Sequence, residues 1–192
     1  MVTRTELTDP RALRAYAHPT RLALVGLLRR EGPKTATQAA EAIGESVASC
    51  SFHLRQLAKY GLIEEVEGQH GRSKPWRATA MFTTWYGDSD DPETQAATTA
   101  LDRVILDQYR KAALAWLDRR EADPPAWRRA SGFSDYLLHL TAPELRRLGD
   151  HLDALVADYL PRLADPAARP KGSRPVKVIA LAFPTDDGGE AP

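Results

Sequence analysis

Apolar side chains recur at helical spacing through the first third of the chain, and polar caps and glycines divide them into four helices. Residues 1–8 are expected to fray. Asp9-Pro10 can then open a helix, with Asp9 as cap and Pro10 at its first position, and Leu13, Tyr16 and Ala17 give it an inward face. His18-Pro19 breaks the register. Pro19 starts a second helix with Leu22, Val25 and Leu27 or Leu28 inward, which places Arg29-Arg30 in its last turn before Gly32-Pro33. Thr35-Ala36-Thr37-Gln38 has capping-box spacing for a third helix that Gly44 can end. Ser46 can cap a fourth that runs to Lys59.

In that fourth helix Cys50, Leu54 and Leu57 fall at i, i+4 and i+7, one apolar stripe for a core. Val47, Ala48, Ser51, Phe52 and Arg55 lie on the other side. Small residues let a helix enter the major groove of DNA, methyl contacts suit thymine and arginine reads guanine. Tyr60-Gly61 stops the helix. Residues 62–67 then read as a strand, Gly68-Gln69-His70-Gly71 as a loop and residues 74–79 as a return strand. Arg72 and Lys74 flank the loop tip, where a wing would reach phosphates or the minor groove.

His18-Pro19-Thr20-Arg21-Leu22, the capping box at Thr35, Ser51-Phe52-His53-Leu54-Arg55-Gln56-Leu57 and Tyr60-Gly61-Leu62-Ile63 stand in an order and spacing that resembles the winged helix-turn-helix domain of ArsR-type bacterial repressors. The resemblance covers roughly the first 80 residues. It implies a dimeric DNA-binding transcriptional regulator, with the Ser46 helix as recognition helix. Thr35, Ser46, Val47, Ala48, Ser51, Phe52, His53, Arg55, Arg72 and Lys74 are the candidate DNA contacts. Metal-sensing members of that family carry a cysteine pair on the helix that here spans Ala36–Ile43, and this chain has none there. Metal sensing is therefore not carried over, and no cofactor is expected.

Past Trp85, residues 87–92 form an acidic, breaker-rich linker. Residues 93–120 then read as one long helix with Leu101, Ile105, Tyr109, Ala112 and Trp116 in an apolar stripe, widened by Val104, Leu114 and Leu117. So broad a surface must be buried, and Leu101, Val104, Ile105, Leu114 and Leu117 are assigned to a homodimer contact. Asp123-Pro124-Pro125 ends the helix. A short turn around Trp127 is followed by a strand at 135–140, a helix opened by the capping box Thr141-Ala142-Pro143-Glu144, and a strand at 176–183. The expected fold is mainly α, of the α+β kind. It comprises a winged helix-turn-helix domain over 1–86, a helical dimerisation or effector region with a small β element over 87–183, and a disordered tail over 184–192.

Charge adds a division that the zero net charge of the whole conceals: residues 1–84 hold 12 Lys+Arg against 8 Asp+Glu, and the remainder 14 against 18. The excess favours double-stranded DNA on the first region. One cysteine excludes an internal disulfide, and the absence of an apolar leader or a membrane-length span points to a cytoplasmic protein. His18, His53, His70, His139 and His151 show neither i, i+4 pairing nor a cysteine at ligand spacing, so no metal site is predicted. No nucleophile elbow or phosphate loop occurs, and an enzyme is not expected. His53 reads equally as a phosphate ligand or a packing residue. Two alternatives stay open: a degenerate winged helix that binds a protein partner, and a regulator whose Tyr109, Trp116, Trp127, Phe133 and Tyr136 line a small-molecule effector pocket.

Overall fold

The helix starts are set by the capping groups. In the computed structural model, which describes residues 4–66, 74–85 and 87–185, α1 spans Pro10–Tyr16, α2 Pro19–Glu31, α3 Ala36–Ile43 and α4 Val47–Lys59. Asp9 accepts the Arg11 amide at 2.8 Å, and the Thr35–Gln38 box is closed in both directions at 2.9 and 3.3 Å. Each cap satisfies an amide that the first helical turn leaves without a partner. The apolar stripes then meet: Leu13, Leu24, Val25, Leu27, Leu28, Cys50, Leu54 and Leu57 are buried in one cluster with Leu62 and Ile63.

Two small sheets frame this cluster. β2 (Ile63–Glu65) pairs antiparallel with β3 (Trp76–Ala78), and Lys34, between α2 and α3, adds a two-bond bridge to Trp76 at 2.8 and 3.0 Å. Residues 4–6, expected to fray, instead form β1 (Arg4–Glu6), which runs parallel to β4 (Phe82–Thr84) in register Arg4 to Phe82. The strand was hidden because a three-residue segment gains its ladder only from a partner far along the chain. The expected loop at 68–71 and Arg72 lie outside the described residues.

The long helix α5 (Pro92–Leu117) belongs to the same compact unit as the four N-terminal helices. That unit extends from Met1 to Ala122, past the boundary expected near residue 86. Ala97, Thr98 and Leu101 are buried and α5 packs along α1. Arg14 pairs with Glu93, and the Trp85 indole donates to Asp102 at 2.7 Å. The α1 surface therefore has a use for apolar cover that the sequence pattern alone did not reveal. Leu101 spends its side chain inside its own unit, and Ile105 is partly buried against the same core. Leu101 is fully buried within this unit.

The second unit, Asp123–Pro192, holds α6 (Pro125–Ala130), α7 (Ala142–Ala157) and α8 (Pro161–Ala164). The Glu144 carboxylate accepts both the Thr141 amide at 2.8 Å and the Thr141 hydroxyl at 2.7 Å, which opens α7 as its capping motif predicts and holds the carboxyl below its ordinary range. Arg174 pairs with Asp123 at 2.9 Å and lies over the Trp127 ring. The expected strands at 135–140 and 176–183 are not formed among the described residues. Apolar, β-prone composition does not make a strand without a ladder partner. Tyr136 and Val178 are accordingly about as exposed as any large side chain, at 78% and 75%. No helix among the described residues is long and apolar enough to cross a membrane.

The packing of α5 on α1 separates two leucines of one helix. Leu101→Ala should lower unfolding stability by about 2–5 kcal/mol in urea denaturation of the full chain, as expected for a fully buried leucine. Leu106→Ala, at an exposed position of the same helix, should stay within about 0.5 kcal/mol. Equal effects would show that the helix does not bury the face seen here.

Candidate nucleic-acid interface

Gly44 adopts the left-handed conformation, φ 73° and ψ 28°, and its amide and that of Glu45 both reach the Ala40 carbonyl, at 3.0 and 3.1 Å. A side chain would be strained at that φ, so glycine is what lets the chain turn sharply out of α3. Ser46 follows at once and accepts the Ser49 amide at 3.1 Å, starting α4. The two helices pack closely across this turn.

The orientation of α4 is fixed by its back. Cys50, Leu54 and Leu57 are fully buried, and helical geometry then turns Ala48, Phe52, Arg55 and Lys59 outward, while Val47, on the stripe side, is exposed because it begins the helix. Val47 is 47% and Phe52 50% exposed, an apolar content unusual for a solvated face. Arg55 donates to the Ser51 hydroxyl at 2.8 Å, so its guanidinium lies along the helix toward the N-terminal turn. Phe52 meets His53 edge-on, with ring centroids 5.2 Å apart.

The other candidates divide. Thr35 is engaged in its capping box, its hydroxyl oxygen accepting and its amide donating. His53 turns away from the outward face, its ring 4.5 Å from that of His18 at the start of α2, and its Nδ1 is buried with no hydrogen-bond partner. Lys74 pairs with Glu65 at 3.1 Å and Arg77 with Glu64 at 2.8 Å, so the base of the β2–β3 hairpin holds basic groups compensated by acids. Such exposed pairs are weak and can exchange for phosphate. The structure does not describe Arg72.

Two contributions were not foreseen. Arg29 reaches from the last turn of α2 to the Ala80 carbonyl at 2.9 Å and the Thr83 hydroxyl at 2.6 Å, and so ties the strand that follows the wing to the helical core. Burial lowers its pKa, an effect that its neighbour Tyr16 opposes. His18 caps α2, its Nδ1 accepting the Thr20 amide at 3.2 Å. Burial above all, then nearby Arg21, holds the His18 imidazole below its ordinary pKa; for His53 burial is again the main cause, followed by His18 and Arg21. Burial also pushes the Cys50 thiol up, as expected of a core residue and not of a reactive one.

Two shallow depressions on the first unit, about 430 and 190 Å³, are lined by Pro92, Gln95, Ala96, Thr99, Ala100 and Arg103, and by Pro19, Thr20, Ala23, Ile43, Glu45 and Gln108. None of the five aromatics expected to form an effector pocket lines either one. Among the described residues no group of three or more His, Cys, Asp or Glu side chains is placed to hold a metal.

A helix, a glycine turn, a second helix with an outward face and an antiparallel hairpin define a winged helix-turn-helix domain in a mainly α chain. A family model described as a helix-turn-helix domain matches residues 16–66, the stretch that holds α2, α3, α4 and β2. The chain matches no curated protein. Among solved structures it is similar to the homodimeric winged helix-turn-helix DNA-binding domain of a possible ArsR-family transcriptional regulator from Mycobacterium bovis, at 26% identity over 51% of this chain and 77% of that one, TM-score 0.33. It is also similar to a MarR family regulator from Neisseria meningitidis, at 19% identity over 76% and 78% of the two chains, TM-score 0.31. A further MarR family transcription regulator is 20% identical over 80% of each chain, TM-score 0.35.

The Ser46 cap sets where α4 begins. Ser46→Ala should cost about 1 kcal/mol of unfolding stability, and Ser46→Asp, which restores an acceptor, should recover most of it. Urea denaturation of the three proteins tests this, and an unchanged midpoint for Ser46→Ala would deny the cap its role.

Proposed function

We propose that the protein is a sequence-specific transcriptional regulator of double-stranded DNA that acts as a repressor. It binds a palindromic operator as a homodimer, with α4 in the major groove and the hairpin connecting β2 and β3 against the backbone. The observation that carries this reading is the outward face of α4. A buried leucine back, a capped start and an exposed row of small, apolar and guanidinium groups match what base-edge readout requires. Arg55 is the guanine reader, steered by Ser51, and Val47 and Phe52 supply apolar contacts to thymine methyls.

One recognition helix spans few base pairs, so two must be held about 34 Å apart to act together. The surface of α5 left over from α1 supports that role. Val104 and Leu117 are half-buried and Leu114 is 46% exposed, on the helix that links the DNA-reading region to the rest of the chain. With Leu101 buried inward, these three and the outer part of Ile105 are the dimer contact proposed here. A small-molecule effector remains outside this proposal.

The exposed Val47 and Phe52 favour a second reading, a winged helix that docks on a protein. Salt dependence separates the two. Affinity for mixed duplex DNA must fall steeply between low and moderate salt if phosphates are neutralised. A flat or absent signal would leave the protein-docking reading.

With an operator selected from random duplexes, Arg55→Ala should cost about 1–3 kcal/mol on that operator and much less on unrelated DNA. Equal losses on both would remove Arg55 from base readout. In sedimentation, the pair Val104→Glu and Leu117→Glu should yield a monomer that binds the operator far more weakly. A variant as dimeric as the parent would place the dimer contact elsewhere.

A further inference from the structure

The His18–His53 contact joins the first turn of α2 to the middle of α4, and neither the packing of the core nor base readout accounts for its chemistry. The rings stand 4.5 Å apart, tilted by 36°. His18 Nδ1 must be unprotonated to accept the Thr20 amide, and it does so at the positive end of a helix of 13 residues, where a cation is disfavoured. His53 Nδ1 is buried without an acceptor, and so is Arg21 Nε, one turn along from His18 on α2. Protonating either imidazole would remove the α2 cap, or bury an unsatisfied N–H, and in both cases would set a second cation beside Arg21.

The charged and titratable groups around the pair are few. Arg21 stands on α2, Glu45 in the turn before α4, and Cys50 on α4 beside Glu45, while Tyr60 at the end of α4 acts on Arg21. Among the described residues Glu45 is the carboxylate that acts on the pair, and it also accepts the Thr20 hydroxyl at 3.5 Å. With both rings protonated, three cations would face that carboxylate. Phe52, edge-on to His53, connects the pair to the outward face of α4.

We infer that the His18–His53 ring contact is an acid-sensitive clamp that seats α4 on α2 while neutral and loosens it when protonated. Its consequence for DNA rests on the function proposed above; the clamp itself does not. The sign follows from the environment. Burial and neighbouring cations make the folded chain bind these protons less readily than the unfolded chain, so stability is full above the ordinary imidazole pKa of about 6.5. It is lost as pH falls through that value toward the lower folded ones.

Full-length protein and the variant His18→Asn/His53→Gln, in which Asn retains a cap acceptor, should be compared in thermal melts from about pH 8 to about pH 5. The parent midpoint should fall more than that of the variant, which keeps every other histidine of the chain. Coincident slopes would overturn the clamp. If the double variant does not fold, His53→Gln alone and an NMR titration of the imidazole protons decide, and either ring titrating at or above the ordinary value would overturn it. In the DNA arm, a random-pool duplex should be released on acidification more by the parent than by the variant. Failure to bind DNA at any pH, with the melts as expected, would overturn the function proposed above and leave the clamp standing. Equal release by both proteins would separate the clamp from DNA binding and overturn its regulatory role.

Discussion

The burial of Cys50, Leu54 and Leu57 against α2 and α3 is the constraint on which the rest of the first unit depends. These side chains occupy one stripe of α4, and each leucine contributes roughly 1.5–3 kcal/mol of transfer free energy, an amount that rotation of the helix would forfeit. Once that stripe is committed, the position of every outward side chain follows from the helical period. Arg55 faces solvent because Leu54 and Leu57 do not. The Ser46 cap and the left-handed Gly44 add a second restriction, fixing the residue at which the period begins. A one-residue shift would rotate Phe52 and Arg55 by about a quarter turn and put a charged head toward the core.

The same logic explains which parts of the fold the sequence made legible. α1 to α4 could be read because their caps, breakers and apolar spacing all act within a few residues, and each element is stabilised by its own neighbours. β1 could not, since its ladder comes from residues almost eighty positions away. The role of Leu101 was misplaced for a related reason. An apolar stripe says that a helix must be covered and leaves open whether α1 of the same chain or a second copy covers it. In the second unit the capping box at Thr141 correctly marks a helix start. The apolar segments at 135–140 and 176–183 show the converse, β composition without a ladder.

Legibility of the site divides along the same line. Val47, Ala48, Phe52 and Arg55 were found from the period of one helix, and the structure leaves all four exposed. His53 stands next to Phe52 in sequence but on the flank of the helix, where its surroundings depend on His18, 35 residues earlier. No spacing rule relates those two residues. The link from Arg29 to Ala80 and Thr83 is equally nonlocal. The sequence thus displays the groups that could meet a partner, while the groups that hold them in place appear only when distant segments pack.

That division has an energetic counterpart. The outward groups of α4 lie at the end of a stack of commitments, each with a modest free energy: a cap of about 1 kcal/mol, a buried stripe of a few, and hydrogen bonds from Arg29 of order 1 kcal/mol each. Base readout needs side chains placed to within a fraction of an ångström, so a loss too small to unfold the unit can still blur the face. The His18–His53 contact is one of the few places where such a loss can be applied reversibly, because a proton changes its charge without altering its covalent structure. A ring contact joins the start of α2 to α4 there, beside the leucine stripe. The helix can then be loosened at one edge while its core remains packed.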